Sequence, residues 1–127
     1  MKKDLDEVIL TPHELEVMKI VWDLNAASVR DVHSRLSERK RVAYTTVLTI
    51  MGILESKGVL THTTAGRAFI YRPLLSKRQA MHNQVCDVVE RFFDGNKQKL
   101  LEYISRDYSI EYSLKSGSLY EKVNALL

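Results

Sequence analysis

The stretch Arg39 to Thr49 reads RKRVAYTTVLT: three consecutive cations, two apolar residues, a phenol and two threonines in a row, with another threonine three positions on. Cations neutralise phosphate oxygens. Hydroxyls donate to and accept from phosphates and base edges, and a threonine methyl packs against the methyl of thymine. If a helix begins near Tyr44, then Tyr44, Thr45, Thr46 and Thr49 occupy its N-terminal and outward side, where a helix in the major groove meets DNA. Arg39, Lys40 and Arg41 then form the preceding turn, beside the DNA backbone. A plainer reading stands next to this one. Thr45 or Thr46 could cap the helix by accepting from backbone amides, and the cations could be a solvated turn. For the four hydroxyl residues as a set, DNA contact is the stronger reading.

The charge distribution agrees. The net charge is only +3, but residues 1–29 carry three basic and six acidic side chains, whereas residues 30–72 carry eight basic and three acidic. A local positive field around one candidate helix is the footprint expected of phosphate binding. The length, 127 residues, suits one compact domain or a small domain with an oligomerising appendage, and excludes a large two-lobed enzyme. No apolar run approaches the roughly 18 residues of a membrane span, and MKKDLDEV carries acids where a signal peptide has its apolar core. A cytoplasmic protein without membrane insertion is expected.

Other chemistries find little support. Cys86 is the only cysteine, so neither an intrachain disulfide nor a cysteine-based zinc framework can form. Beside Val85 and Val88 it reads as a small buried apolar residue. His13, His33, His62 and His82 show no i, i+4 pairing and no H-E-x-x-H, so no metal site or cofactor is expected. There is no G-x-S-x-G and no glycine-rich phosphate loop, and catalysis is not indicated.

The elements that would position the hydroxyl helix follow from local signals. TPHELEVMKIVWDL opens with Thr11 as cap, Pro12 in the first helical position and Glu14 three residues past the cap, the capping-box pattern. Leu15, Met18, Val21 and Trp22 then share a face. In SVRDVHSRLSER, Ser28 is the cap, Asp31 lies in the first turn, and Val29, Val32 and Leu36 form a narrow apolar stripe. The third helix turns Val47, Ile50, Met51 and Leu54 inward and ends at Lys57-Gly58. VLTHTT and RAFIYRP flank Ala65-Gly66 as the strands of a β-hairpin, the second stopping near Pro73. Arg67, just past the hairpin tip, is the candidate wing contact; a cross-strand partner is its simpler role. Three helices closed by a hairpin make the winged helix-turn-helix plan.

The remainder is helical. In SKRQAMHNQVCDVVERFFDG, Met81, Val85, Val88 and Phe92 fall at i, i+4, i+7 and i+11, with Val89 and Phe93 widening the stripe until Gly95 ends it. Leu100, Leu101 and Ile104 mark a second helix. After Ser116-Gly117-Ser118, Leu119, Val123 and Leu126 suggest a third. Such a stripe needs a cover, and a second copy of the chain is the economical one. Packing back onto the wing domain is the alternative. Met81, Val85, Val88, Val89 and Phe92 are the candidate dimer contacts.

From about Leu10 to Gly95 the chain resembles the penicillinase-repressor (BlaI/MecI/CopY-like) family. The resemblance is carried by LTPHELEVMKIVW, SVRDVH, AYTTVLTIM followed by LESKGVL, GRAFIYRP and FFDG, in that order. It implies an N-terminal winged helix that binds a palindromic operator on double-stranded DNA and C-terminal helices that dimerise. It also implies release through a membrane sensor metalloprotease whose action leads to cleavage of the C-terminal region. Two departures stand out. Ile53 occupies a position where many relatives have arginine, and the paired C-x-C motifs of the copper-responsive branch are absent, which argues against Cu(I) sensing.

The expected architecture is mainly α with a small β-hairpin: a winged-helix DNA-binding domain over residues 1–75 and a helical dimerisation region over residues 76–127. The expected function is that of a homodimeric transcriptional repressor. Two other classes fit the same elements, a MarR-like regulator released by a small ligand and a winged-helix module that binds protein. The first needs a sizeable pocket between domains. The second needs an outward helix-three face that is apolar or acidic, whereas this one is hydroxylic and flanked by bases.

Overall fold

In the computed structural model, which describes residues 5–108, Thr11 starts the first long helix. Its Oγ1 accepts the Glu14 amide at 3.2 Å, and Glu14 Oε1 accepts the Thr11 amide at 2.9 Å. Helix α1 (Pro12–Leu24) ends where Asn25 turns left-handed at φ 69°. Helix α2 (Val29–Ser37) opens with the same reciprocal pair, Ser28 and Asp31. Helix α3 (Tyr44–Ser56) stops at Lys57, and Gly58 follows at φ 79°. Strands β1 (Leu60–Ala65) and β2 (Ala68–Pro73) pair antiparallel from Leu60↔Pro73 to Ala65↔Ala68, with Gly66 at φ 64° in the turn. These elements and their order are those the sequence indicates, and the fold is mainly helical with one hairpin.

One connection has no sequence signature. Ala27, between α1 and α2, bridges antiparallel to Tyr71 through two backbone hydrogen bonds of 3.0 and 2.8 Å, adding a third rung to the hairpin's inner edge.

Helix α4 (Lys77–Phe92) is capped by Ser76, whose Oγ accepts the Gln79 amide at 3.0 Å. It ends at Asp94 and Gly95, both at positive φ, with the Gly95 amide returning to Val89 O at 2.9 Å. Helix α5 (Lys97–Tyr103) is capped by Asn96 and runs into a π-helical turn at Ile104–Tyr108. The third C-terminal helix expected around Leu119, Val123 and Leu126 lies outside the described residues. The chain divides into two compact units, residues 1–84 and 85–127.

The core of the first unit is sealed by Val17, Met18 and Val21 of α1, Val32 and Leu36 of α2, Val47, Met51 and Leu54 of α3, and Leu60 and Tyr71 of the hairpin. Leu15 and Trp22, expected inside, are only half-buried, because Val17 and Ile20 occupy the centre of the α1 face. Trp22 Nε1 instead donates to Leu75 O at 2.8 Å. Buried Asn83 ties the start of α4 to the N-terminal segment, its Nδ2 donating to Leu5 O and Val8 O at 2.7 and 2.9 Å. Cys86, expected to be buried, is exposed. Among the described residues Asn83 is the one buried side chain of α4, and Val85 beside the thiol is itself exposed.

A polar pair crosses this core. The Glu14 carboxylate, 6% exposed, receives Lys57 Nζ on both oxygens at 2.8 Å. Burial alone would raise its pKa. The hydrogen bonds from Lys57 and Thr11 and the lysine's charge outweigh that and hold Glu14 below its ordinary 4.5. The stabilisation is therefore fully present above the unfolded carboxyl's pKa and is lost as pH falls through the lower folded value. Replacing Lys57 by Met leaves a buried carboxylate without its partner and should cost about 2–4 kcal/mol in urea unfolding at neutral pH. The cost should shrink as pH falls and Glu14 takes up a proton in the variant, where burial is no longer offset by the hydrogen bond and charge of Lys57.

Candidate nucleic-acid interface

Helix α3 is fixed from one side only. At about 100° per residue, its buried residues Val47, Met51 and Leu54 leave Thr45, Thr49, Gly52 and Ser56, at i, i+4, i+7 and i+11, pointing away from the core. All four are exposed. This outward stripe is small and hydroxylic, which lets another molecule approach the helix backbone closely. Thr49 Oγ1 donates to Thr45 O at 2.9 Å, which commits its hydrogen and leaves the oxygen as an acceptor.

The start of α3 answers the question of capping. Its cap residue is Ala43, and no side chain makes a cap hydrogen bond. Neither Thr45 nor Thr46 closes the helix, and their hydroxyls are exposed along with Tyr44. The Thr46 amide is taken by Ala43 O at 3.1 Å, which leaves the amides of Tyr44 and Thr45 for an outside acceptor.

The flanks hold this start in place. His33 Nε2 lies 2.9 Å from Val42 O; a carbonyl can only accept, so Nε2 carries the hydrogen and ties α2 to the turn before α3. The His33 ring also meets Tyr44 edge-on at 5.6 Å. On one flank lie exposed Arg39, Lys40 and Arg41. On the other lies a groove of about 520 Å³ between the first turn of α2, Tyr44 and Leu48 of α3, and Arg67 and Phe69 of the hairpin. Arg30 and Arg67 place positive charge along it. Arg67 is exposed past the tip. The wing arginine with a cross-strand hydrogen bond is Arg72, to Thr63 Oγ1 at 3.0 Å.

The three cations are not equivalent. Lys40 Nζ reaches Glu16 Oε1 of α1 at 2.8 Å, and His13 lies 3.6 Å from the same oxygen. Sequence reading missed this partner, 24 residues away. It also passed over Leu48, and noted Ile53 only as a departure from the family pattern; both are more than two-fifths exposed on α3. Their spacing was the available signal: Leu48 is one turn past Tyr44, and Ile53 one turn past Thr49. On α4, Met81, Val85 and Phe92 are 56%, 52% and 75% exposed, while Val88 and Val89 are half-buried. Among the described residues the apolar stripe is thus largely exposed.

Residues 10–114 match the family model described as penicillinase repressor. The chain belongs to that family. The family is one of transcriptional repressors rather than enzymes, and the match runs past Gly95, the point to which the sequence motifs alone reach. The chain is 28% identical over 95 residues to the penicillinase repressor of Bacillus licheniformis, covering 74% of each. It is similar to the solution structure of the DNA-binding domain of the repressor BlaI, with a TM-score of 0.53 and 30% identity over 61% of this chain and 92% of that one. It is also similar to the monomeric form of Bacillus licheniformis BlaI in complex with the blaP half-operator, with a TM-score of 0.50 and 30% identity over 57% of this chain and 89% of that one. Among the described residues no helix is long and apolar enough to cross a membrane, and no cluster of His, Cys, Asp or Glu could hold a metal.

The Lys40 contact has a measurable signature. The Lys40 hydrogen bond is the largest influence on Glu16 and, with the charges of Lys40, His13 and Arg39, holds its carboxyl below the ordinary 4.5 against a smaller opposing effect of burial. In an NMR titration Lys40→Ala should move the Glu16 midpoint upward. An unchanged midpoint would mean that Lys40 is not engaged in solution.

Proposed function

We propose that this protein is a homodimeric repressor that binds a palindromic operator through α3 and the hairpin wing. The observation that carries the proposal is the start of α3, where the N-cap Ala43 offers no side-chain cap and Tyr44, Thr45 and Thr46 follow it exposed. Thr45 and Thr49 face the bases of the major groove. Thr46 and Tyr44 lie on the two edges of the helix, toward the sugar-phosphate walls. Arg39, Lys40 and Arg41 meet the backbone on one side, and Arg67 meets it from the wing on the other. Family membership and the half-operator complex of the related BlaI support this arrangement.

Residues 1–75 are the DNA-binding part, and residues 76–127 join two copies. A winged helix of this size reads only a few base pairs, so useful specificity requires two half-sites about one helical turn apart. The open stripe of Met81, Val85 and Phe92, with Val88 and Val89 beside it, is the surface proposed to pair. Release follows from the same design. Cleavage of the C-terminal region, downstream of a membrane sensor metalloprotease, would leave each winged helix intact but remove the linkage between half-sites.

Two experiments test this reading. Thr45→Ala should lower discrimination between operator and random duplex by about 1–3 kcal/mol per half-site if Thr45 reads a base. Thr46→Ala should weaken both duplexes alike. Equal effects of the two variants on both DNAs would remove base reading from the outward stripe. Val85→Asp is the sharper probe of the dimer, because Val85 is half exposed and an aspartate there is tolerated in a lone chain. At a paired interface it buries unpaired charge. Sedimentation should show a monomer with native circular dichroism and operator affinity lower by orders of magnitude. A dimer of undiminished affinity would refute the assignment.

A further inference from the structure

The inner face of the wing carries a ring cluster that contributes no group to the proposed DNA contacts. His62 of β1 stands directly across from Tyr71 of β2. Its ring stacks on Phe69 at 4.0 Å and 14°, and meets Tyr71 at 5.6 Å. Its Nδ1 lies 2.5 Å from Oε2 of Glu55, in the last turn of α3. A carboxylate only accepts, so Nδ1 carries the hydrogen and donates it. His62 and Glu55 are 29% and 33% exposed, and a hydrogen bond to a charged group is strengthened by such partial shielding from water. Tyr71 belongs to the same cluster: burial first, then the charges of Glu55 and Tyr44, push its phenol up.

We propose that the Glu55–His62 pair is a positioning latch that fixes the angle of the wing against α3, so that Arg67 reaches phosphate while Thr45 and Thr49 face bases. The latch rests on the reading of α3 and the wing as DNA contacts. The geometry of the hairpin explains why a latch matters. Two strands alone hold their shape weakly, and this pair is anchored in the core near its base, by Leu60 and Tyr71, while Thr63 to Phe69 are exposed. At roughly 3.3 Å per residue, the tip extends about 10 Å beyond His62. A tilt of about 10° there displaces the tip by about 2 Å, which is enough to break a hydrogen bond to phosphate. Stacking on Phe69 fixes the plane of the imidazole, and Glu55 fixes its direction, so the hairpin is gripped at its midpoint by the helix that it must accompany.

The sign of the effect separates a latch from simple electrostatics. Glu55 is an anion on the helix proposed to meet DNA, so removing its charge should by itself tighten phosphate binding. Removing the latch should weaken it. The full chain would be titrated by fluorescence anisotropy against a duplex that the wild type selects from random sequence. Glu55→Ala and His62→Phe, the second keeping a ring on Phe69, should each weaken binding on the order of tenfold. Glu55→Gln, which keeps an acceptor oxygen without the charge, should stay within about threefold of wild type. Arg67→Ala should cost about tenfold in the wild type but less than about threefold in Glu55→Ala, since a misplaced wing has little contact left to lose. In Glu55→Ala, amide exchange in β1 and β2 should quicken while α1 and α2 keep their protection.

Undiminished or tighter binding by Glu55→Ala, or an equal Arg67 cost in both backgrounds, would overturn the latch. Unchanged hairpin exchange in Glu55→Ala would overturn it too, leaving the wing contact standing. An Arg67→Ala variant that binds like the wild type would instead refute the wing contact, and the positioning role with it.

Discussion

Everything in the DNA-binding unit depends on holding α3 from one side. Val47, Met51 and Leu54 are sealed against α1, α2 and the hairpin base, and no outward side chain of the helix takes part in that packing. Each buried side chain contributes on the order of 1.5–3 kcal/mol, so the seam alone can define where the helix lies. Packing sets a position but leaves some rotation and sliding, and polar contacts at the ends remove it. His33 grips the turn before Tyr44, Lys57 reaches Glu14 beyond the last turn, and Glu55 reaches His62. The helix is thereby oriented while Thr45, Thr46 and Thr49 stay exposed. A recognition surface has to be both rigid and unoccupied, and this arrangement provides both.

Electrostatics divides the same way. The positive charge of the middle of the chain is not spread evenly over the exposed face. Glu16 engages Lys40, whereas Arg39, Arg41 and Arg67 stand exposed around the ends of the stripe. In the proposed interface a DNA phosphate would have to compete with Glu16 for Lys40, so Lys40 would contribute less to affinity than an unpaired cation. Because the pair is partly exposed, its own contribution to stability is small, and the exchange of one partner for another is correspondingly easy.

What was legible in the sequence was what is local. Thr11 with Glu14 and Ser28 with Asp31 announce two helix starts because the capping box closes within four residues. Gly58 and Gly66 mark a helix end and a hairpin tip because positive φ selects glycine. The periodic faces of α2 and α3 follow from burial on one side. What was not legible joins residues far apart in the chain. Glu14 reads as a cap and turns out also to be a buried ion-pair partner of Lys57, and Ala27 pairs with Tyr71 across the wing. Lys40 reads as a DNA contact and is also held by Glu16. His62 has no motif, since its partners Glu55 and Phe69 are brought to it by tertiary packing. Cys86 was misjudged because its apolar neighbours in sequence do not enclose it on α4. Within the candidate interface, residue types singled out α3 from the sequence, but the geometry that makes Thr45 and Thr49 outermost required the packed helix.

The central claim is that two copies of the α3 surface read DNA together. Its most direct test is to let the intact chain select duplexes from a random pool and to sequence what is retained. The account requires a two-fold symmetric consensus, with half-sites whose centres are about one helical turn apart. An enriched sequence with no symmetry, or retention with no sequence preference at all, would contradict it.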